Sequence, residues 1–278
     1  MVDQHENNHL DKTRSKKTWG GAIALGLIVA LASGCNGVAQ NDQVGQDNVT
    51  SDDVAQVEPG DSVVGEEVTI RSGVTEVIDD NGFVMESANG GDILVVNSTG
   101  TPFTLPQQQI PIQVTGQLET FSAAGLQQRY GVTLDPNRYS QYEQQPVVVA
   151  NNFAPAPRPQ DLWDAPEGYF NETIAVEGDI RLLDETSSGF ALFEEGWAND
   201  IGVLVIGVDQ ATNTAELEAG ENVVVTGEAR QADINLLRQA NLNWTDTQIE
   251  EFLSRYENRP VIVAEEVYPS ATPPHPTV

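Results

Sequence analysis

The sequence has little of the residue types on which most catalytic devices depend. Its single cysteine is Cys35, and its three histidines are His5, His9 and His275. One cysteine excludes an intramolecular disulfide. Because the histidines lie only near the two ends, a Ser-His-Asp or Cys-His device and a zinc site built on His or Cys are excluded from the middle of the chain. No lysine follows Lys17, so a lysine Schiff base is excluded there as well.

The first 34 residues have the composition of an export signal. A basic segment containing Lys12, Arg14, Lys16 and Lys17 precedes a run of 14 uncharged and mostly apolar residues, 20–33. That run is shorter than the ~20 apolar residues that an ordinary membrane-spanning helix needs. The order of basic, apolar and then small residues is typical of a secretory signal peptide.

The residues that end at the cysteine, Leu31-Ala32-Ser33-Gly34-Cys35, resemble the lipobox of bacterial lipoproteins. The resemblance implies cleavage before Cys35, a diacylglyceryl group on its sulfur, and a place in the cell envelope, lipid-anchored to a membrane and facing the extracytoplasmic side. That family more often has leucine three residues before the cysteine, where this sequence has Ala32. An ordinary signal peptide followed by a chance cysteine is the alternative.

The chain that such cleavage leaves is strongly acidic. It keeps nine basic residues, all arginine, against 39 acidic ones, which gives a formal net charge of −30. Nucleic-acid binding depends on cationic contacts to phosphate, so nucleic acid is excluded as an expected partner. Anionic lipid headgroups are repelled too, so the expected contact with the membrane is the lipid anchor. An envelope protein or a glycan remains the expected kind of partner.

Two stretches of the chain share five landmarks in the same order, which predicts an internal duplication. The pairs are 68–70 with 173–176, Gly82-Phe83 with Gly189-Phe190, 93–96 with 203–206, Val114-Thr115-Gly116 with Val225-Thr226-Gly227, and 142–150 with 256–264. Each landmark is rich in the β-branched and aromatic residues that favour strands. A bias in strand composition alone is the alternative explanation.

A helical insert is predicted before the last strand of each stretch. In the second stretch, Thr245 and Gln248 have the spacing of a capping box. The apolar face that follows consists of Ile249, Phe252, Leu253 and Tyr256. In the first stretch, Asp135-Pro136 is a favourable helix start.

This order of four strands, a helix and a fifth strand resembles the OB-fold, a small five-stranded barrel. The predicted fold class is therefore mostly β, with two tandem small OB-like β-barrels, each with a short helical insert before the last strand. The OB-fold commonly has its helix between the third and fourth strands, one strand earlier than here. Either 68–78 is one long bent strand around Ser72-Gly73, which would restore the match, or the fold differs. A Greek-key or SH3-like small barrel is the competing fold.

Composition then divides the chain into six segments. They are the lipoprotein signal peptide (1–34), a disordered acidic tether (35–64), the first OB-like repeat (65–153), a proline-rich linker (154–170), the second OB-like repeat (171–268) and a flexible tail (269–278).

Carboxylates are the remaining candidates for chemistry. The segments 79–82 and 184–185 each place acids before a Gly-Phe pair. Such acids suit acid–base catalysis or Ca²⁺ binding. Asp-Asn-Gly is also a strong hairpin-turn signal, and a solvated turn is the favoured interpretation. No metal site, catalytic residue or cofactor is therefore predicted, and 89–92 is interpreted as a β-turn.

Aromatic and arginine side chains are the candidates for binding. Trp197, Trp244, Arg255 and Arg259 are the predicted binding residues, because exposed rings stack on sugars or peptide side chains and guanidinium groups grip carboxylates. Core packing is the alternative for the tryptophans. Pairing of Arg255 with Glu251 is the alternative for the arginine.

The sequence thus predicts a membrane-anchored envelope lipoprotein that acts as a non-catalytic binding or structural module. The alternative is a carboxylate- or Ca²⁺-dependent carbohydrate-active or hydrolytic protein, and a passive acidic spacer is a third hypothesis. Two acids that converge in one pocket would favour the enzyme, whereas scattered acids favour the module.

Overall fold

Runs of valine, isoleucine and aromatic residues form the strands of a predominantly β fold, as their packing on a pleated surface favours. The computed structural model describes residues 47–87, 89–102, 110–183, 188–194, 196, 202–212, 217–256 and 258–271. All of them belong to one compact unit, Val44–Val278. None of the helices in these ranges is both long enough and apolar enough to cross a membrane.

The first half of this unit contains seven strands and three α-helices among the described residues. In chain order they are β1 (Asp47–Asn48), α1 (Ser51–Ala55), β2 (Glu67–Ser72), β3 (Val74–Asp79), β4 (Gly82–Glu86), β5 (Asp92–Asn97), β6 (Ile112–Thr120), α2 (Ala123–Tyr130), α3 (Pro136–Tyr139), a 3₁₀ turn (Ser140–Tyr142) and β7 (Pro146–Pro155).

The second half follows the same plan. Its elements are α4 (Pro159–Asp164), a 3₁₀ turn (Pro166–Gly168), β8 (Thr173–Leu182), β9 (Gly189–Phe193), β10 (Val203–Ile206), β11 (Asn222–Gln231), α5 (Ile234–Gln239), α6 (Asp246–Tyr256) and β12 (Pro260–Pro269).

The strands of the second half form a closed barrel in the order β10-β12-β11-β8-β9, with β9 pairing back to β10. The sheet of the first half has the matching order, β2-β6-β7-β5-β4-β3, and β1 adds to its edge. In both, the third and fifth strands pair in parallel and the other pairs of the shared order are antiparallel. The predicted mostly-β fold of two small barrels is confirmed.

The single long strand considered for 68–78 is not continuous in the first barrel, whereas the first strand of the second barrel is. β8 is continuous and pairs with β11 through Thr173–Asp179 and with β9 through Asp179–Leu182. In the first barrel the equivalent strand is interrupted at Gly73, between β2 and β3. The helical inserts nevertheless lie between the fourth and fifth strands in both barrels. The helix position of the OB-fold is therefore not restored, and the second alternative, that the fold differs from the OB-fold here, is the one observed.

The Val-Thr-Gly landmarks of the fourth strands lie opposite a β-bulge in the fifth strand of each barrel, where Asn151 of β7 and Glu265 of β12 have no partner in the register. The register with the fifth strand shifts between Thr115 and Gly116 in β6, and between Thr226 and Gly227 in β11. A Cβ atom on Gly116 would lie 2.3 Å from the backbone oxygen of Val149, and one on Gly227 would lie 2.2 Å from that of Val263. Glycine is therefore required where the two strands approach most closely.

Both faces of the central strands are buried because the helical inserts cover the outside of each barrel. Along β5, Ile93 and Val95 join the barrel interior, whereas Leu94 and Val96 pack with residues of α2 and α3. β10 repeats the pattern, with alternate residues in the second barrel's interior and against α5 and α6. This explains why the strands are continuous apolar runs rather than alternating ones.

Two short helices outside the predicted repeats complete the barrel cores. α1 begins at a capping box formed by Thr50 and Asp53, and its Val54 is buried in the first barrel's interior cluster. α4 precedes the second barrel in the same way, with Leu162 and Tyr169 in that barrel's interior cluster. The prediction of a disordered tether is therefore wrong for residues 47–64. Of the predicted proline-rich linker, Ala154 and Pro155 end β7, whereas Leu162 and Tyr169 pack in the second barrel. Most of the predicted tail, 272–278, lies outside the described residues.

Polar side chains connect the two barrels. Arg71 of β2 donates to Glu177 of β8 at 3.1 Å, and Gln113 of β6 accepts from the Tyr268 hydroxyl of β12 at 3.0 Å. The apolar side chain of Ile110 also belongs to the second barrel's interior cluster. These contacts hold the two barrels in one unit.

Candidate functional site

The candidate site is built on α6, the longest helix in the described part of the chain. Its start is fixed by the predicted capping box, in which the Gln248 amide donates to the Thr245 hydroxyl at 3.3 Å and the Thr245 amide donates to Gln248 Oε1 at 2.8 Å. Ile249 and Tyr256 are buried against the barrel. The opposite side of the helix therefore faces solvent in a fixed orientation.

An open pocket of about 230 Å³ lies along the solvent side of α6. Its lining residues are Trp244, Gln248, Glu251, Phe252 and Arg255. Each of the four helical positions lies three or four residues from two of the others, so they share one face of α6. Trp244 precedes the helix by two residues. Two of the predicted binding residues, Trp244 and Arg255, are thus brought together.

The floor of the pocket is a stack of aromatic rings. The Trp244 and Phe252 ring centroids lie 5.1 Å apart, and Phe252 stacks on Tyr256 at 4.5 Å. Behind them the edge of Trp163 meets Tyr256 at 5.2 Å. Trp244 and Phe252 are only half-buried, so an aromatic surface braced from below faces the solvent.

Tyr256 anchors this stack to the barrel. Its buried hydroxyl accepts a hydrogen bond from the Leu204 amide of β10 at 2.8 Å and lies 2.9 Å from the Pro260 carbonyl oxygen, to which it donates. Burial raises the pKa of the Tyr256 phenol far above its usual value. The hydroxyl therefore remains a donor across the physiological pH range, and the ring position is fixed.

Removal of that hydroxyl is expected to destabilise the protein measurably. Tyr256→Phe leaves the buried Leu204 amide without its partner, so the free energy of unfolding should fall by ~1–3 kcal/mol. Urea denaturation followed by far-UV circular dichroism measures the difference. Ser254→Ala, which loses only an exposed bond to the Glu251 carbonyl oxygen, should change stability by less than about 0.5 kcal/mol. Equal values for the two variants would show that Tyr256 is not an anchor.

Nine arginines follow residue 35, and all of them lie in the described ranges. Arg255 differs from the other eight. Those eight contact a carboxylate, a backbone carbonyl oxygen or an aromatic ring: Arg71, Arg129, Arg138, Arg158, Arg181, Arg230, Arg238 and Arg259. Arg255 has no such partner among the residues that the structure describes. The alternative pairing with Glu251 is not formed, although the two residues are one helical turn apart.

The other predicted binding residues do not join the pocket. The Arg259 guanidinium donates to the Trp163 carbonyl oxygen at 2.6 Å and lies over the Trp163 ring, 4.7 Å from its centroid. It therefore stabilises the base of the aromatic stack. Trp197 and Cys35 lie outside the described residues.

The acidic residues that the sequence offers as catalytic candidates do not meet in one pocket in the part of the chain that the structure describes. Asp79 accepts from the Tyr139 hydroxyl at 2.6 Å and from the Asn81 amide at 2.9 Å, within the tight turn between β3 and β4. The pair 184–185 lies outside the described residues. Over those residues no group of three or more potential metal ligands is found, and the pocket on α6 is lined by a single acid, Glu251.

Three lining residues were not predicted to bind: Gln248, Glu251 and Phe252. Gln248 was assigned only to the helix cap, and Phe252 only to the apolar face. The spacing from Trp244 through Gln248, Glu251 and Phe252 to Arg255 follows one helical face, and this signal could have grouped them.

The fold and the pocket thus define a two-barrel β protein with one aromatic and polar surface on a helical insert. Comparison with known proteins adds no family. No protein-family model matches the sequence, and no curated protein sequence matches it significantly.

Proposed function

We propose that this chain is an envelope lipoprotein, anchored to a membrane through Cys35, that acts as a non-catalytic binding module. The ligand site in this proposal is the pocket on α6. The observation that carries it is the combination, in one open pocket, of a braced aromatic floor and an arginine without a protein partner in the described ranges.

The aromatic floor supports binding because Trp244 and Phe252, which pack against the hydrophobic cluster beneath α6, keep part of their rings exposed to solvent. Phe252 stacks on the buried Tyr256 and Trp244 packs against Phe252, so a ligand does not have to order these rings. Binding to pre-organised side chains avoids the loss of ~0.5–1.5 kcal/mol for each side chain that must be immobilised. A passive acidic spacer would require no such surface.

The proposed anchor places the binding surface close to a membrane. At ~3.6 Å per residue at most, the 12 residues from Cys35 to Asp47 span no more than about 43 Å. The barrels would therefore remain in the envelope layer next to the lipid. Ligands available there are envelope glycans, peptides and proteins, in keeping with the expectation that nucleic acid is not a partner.

The binding proposal is tested with an enzymatic digest of total cell envelope as the probe. In equilibrium dialysis, the mature chain carrying Cys35→Ser should retain specific components of the digest. Mass spectrometry then identifies these components. Trp244→Ala should abolish their retention, because the variant removes the largest ring of the pocket. Val77→Ala, which truncates an exposed apolar side chain of the first barrel, should leave retention unchanged. Retention that is equal in all three proteins, or no retention at all, would contradict the proposal.

A further inference from the structure

We infer that the ligand of the α6 pocket is an uncharged pyranose ring of a glycan, and this inference rests on the binding function proposed above. The observation behind it is that the pocket combines an aromatic floor with the guanidinium of Arg255, which only donates hydrogen bonds, and the carboxylate of Glu251, which only accepts them.

The size of the pocket limits the ligand to a small unit. Its volume is about 230 Å³, whereas pockets for drug-sized molecules range over ~300–1,000 Å³. A single six-membered ring fits that space, and the rest of a longer chain would extend into solvent at the open side. The apolar C–H face of a pyranose is the part that would stack on Trp244.

The polar groups around the floor match the hydroxyl groups of a sugar. The Arg255 guanidinium is only a donor, and the ionised Glu251 carboxylate is only an acceptor. Gln248 Oε1 already accepts from the Thr245 amide and hydroxyl in the helix cap. The side-chain nitrogen of Gln248 is therefore the pocket's second donor, beside Arg255. Every sugar hydroxyl both donates and accepts. Neighbouring hydroxyls on one ring can therefore bind Arg255 and Glu251 together.

The balance of charge favours an uncharged ligand. Glu251 and Arg255 cancel within the pocket, so no net local charge attracts an ion. A polyanionic ligand would in addition meet the repulsion of a chain whose formal net charge is −29 before cleavage and −30 after it. Phosphorylated and uronic-acid sugars are therefore expected to bind more weakly than uncharged ones.

Isothermal titration calorimetry of the mature Cys35→Ser chain tests this inference with defined probes. The uncharged probes are four tetrasaccharides, built from glucose, N-acetylglucosamine, mannose or galactose. The charged probe is a tetrasaccharide of galacturonic acid. The peptide probes are tetrapeptides that contain alanine and tyrosine. At least one uncharged tetrasaccharide should bind saturably, with a Kd that changes less than two-fold between 50 and 500 mM NaCl. Exposed ionic contacts would weaken far more over that range.

Pocket variants show whether the binding occurs at α6. Trp244→Ala should weaken the Kd for the bound sugar at least ten-fold, and Arg255→Gln and Glu251→Gln should each weaken it about three- to ten-fold. Val77→Ala should have no effect, and near-identical circular dichroism melts of all variants exclude misfolding as the cause.

The outcomes separate the inference from the proposal on which it rests. Tetrapeptide binding that depends on Trp244, without sugar binding, would overturn the inference and leave the binding function standing. A preference for the galacturonic acid tetrasaccharide would overturn the inference in the same way. Sugar binding that is insensitive to Trp244→Ala would also overturn it, because the site would lie elsewhere. If no probe binds, the glycan inference fails, and the dialysis experiment decides the fate of the binding function independently.

Discussion

Gly227→Ala is expected to lower the free energy of unfolding by about 3 kcal/mol or more. The added methyl group would lie 2.2 Å from the Val263 carbonyl oxygen and 2.9 Å from its carbonyl carbon. Both atoms belong to the backbone of β12, so no side-chain rotation relieves the contact. The strands would have to separate at the bulge, with loss of ladder hydrogen bonds between β11 and β12.

Urea denaturation of residues 36–278 measures this effect, and Gly116→Ala provides the equivalent test in the first barrel. Its Cβ would lie 2.3 Å from the Val149 carbonyl oxygen, so a loss of similar size is expected. Gly125→Ala is the matched control, because its Cβ would meet only Ser122 at an ordinary 3.5 Å within α2. That variant should be neutral or more stable by up to ~1 kcal/mol. A similar small effect at all three glycines would refute the bulge explanation.

Cys35→Ser is expected to abolish lipid attachment completely. In the proposed maturation, the sulfur of Cys35 carries the diacylglyceryl group, and the serine hydroxyl does not replace it. Cells that express the variant and receive a labelled fatty acid should show no label in this protein, and the protein should leave the membrane fraction. Stable anchoring requires more than one acyl chain, so the expected change in membrane retention is large.

Asn36→Ser is the control for this experiment, because it changes the neighbouring residue and keeps the acceptor sulfur. Its labelling should equal that of the wild-type protein. Undiminished labelling of Cys35→Ser would contradict the lipoprotein proposal, whereas absent labelling in the wild-type protein would favour an ordinary signal peptide.

Much of the fold was predictable because its determinants are local or repeated. The capping box of Thr245 and Gln248 and the turn before Gly82 are short-range signals, and both were predicted correctly. The duplicated landmarks identified the strands. The helices α1 and α4 were missed because each has only five or six residues, which is too short for an apolar period to emerge from a polar or proline-rich segment.

The candidate site was predictable only in part because it depends on where α6 ends. Arg255 and Arg259 were both predicted to bind, but α6 ends at Tyr256, between the two. Asn258 then takes a positive φ of 59°, and Pro260 begins β12. Arg259 consequently contacts Trp163 while Arg255 stays on the helix. The absent Glu251–Arg255 pair reflects how little such exposed pairs contribute, ~0.3–0.5 kcal/mol.

The central claim, that the α6 pocket is the ligand site, is tested most directly by locating the bound ligand. The measurement is ¹H–¹⁵N chemical-shift mapping of residues 35–278 with Cys35→Ser, titrated with the components retained in dialysis. The titration is carried out twice, once with calcium present and once with a chelator present. The account predicts that the largest shifts occur at the Trp244 indole and at the amides of residues 248–255, and that they are the same in both conditions. Shifts that require calcium and cluster at the acids around Asp79 would contradict it.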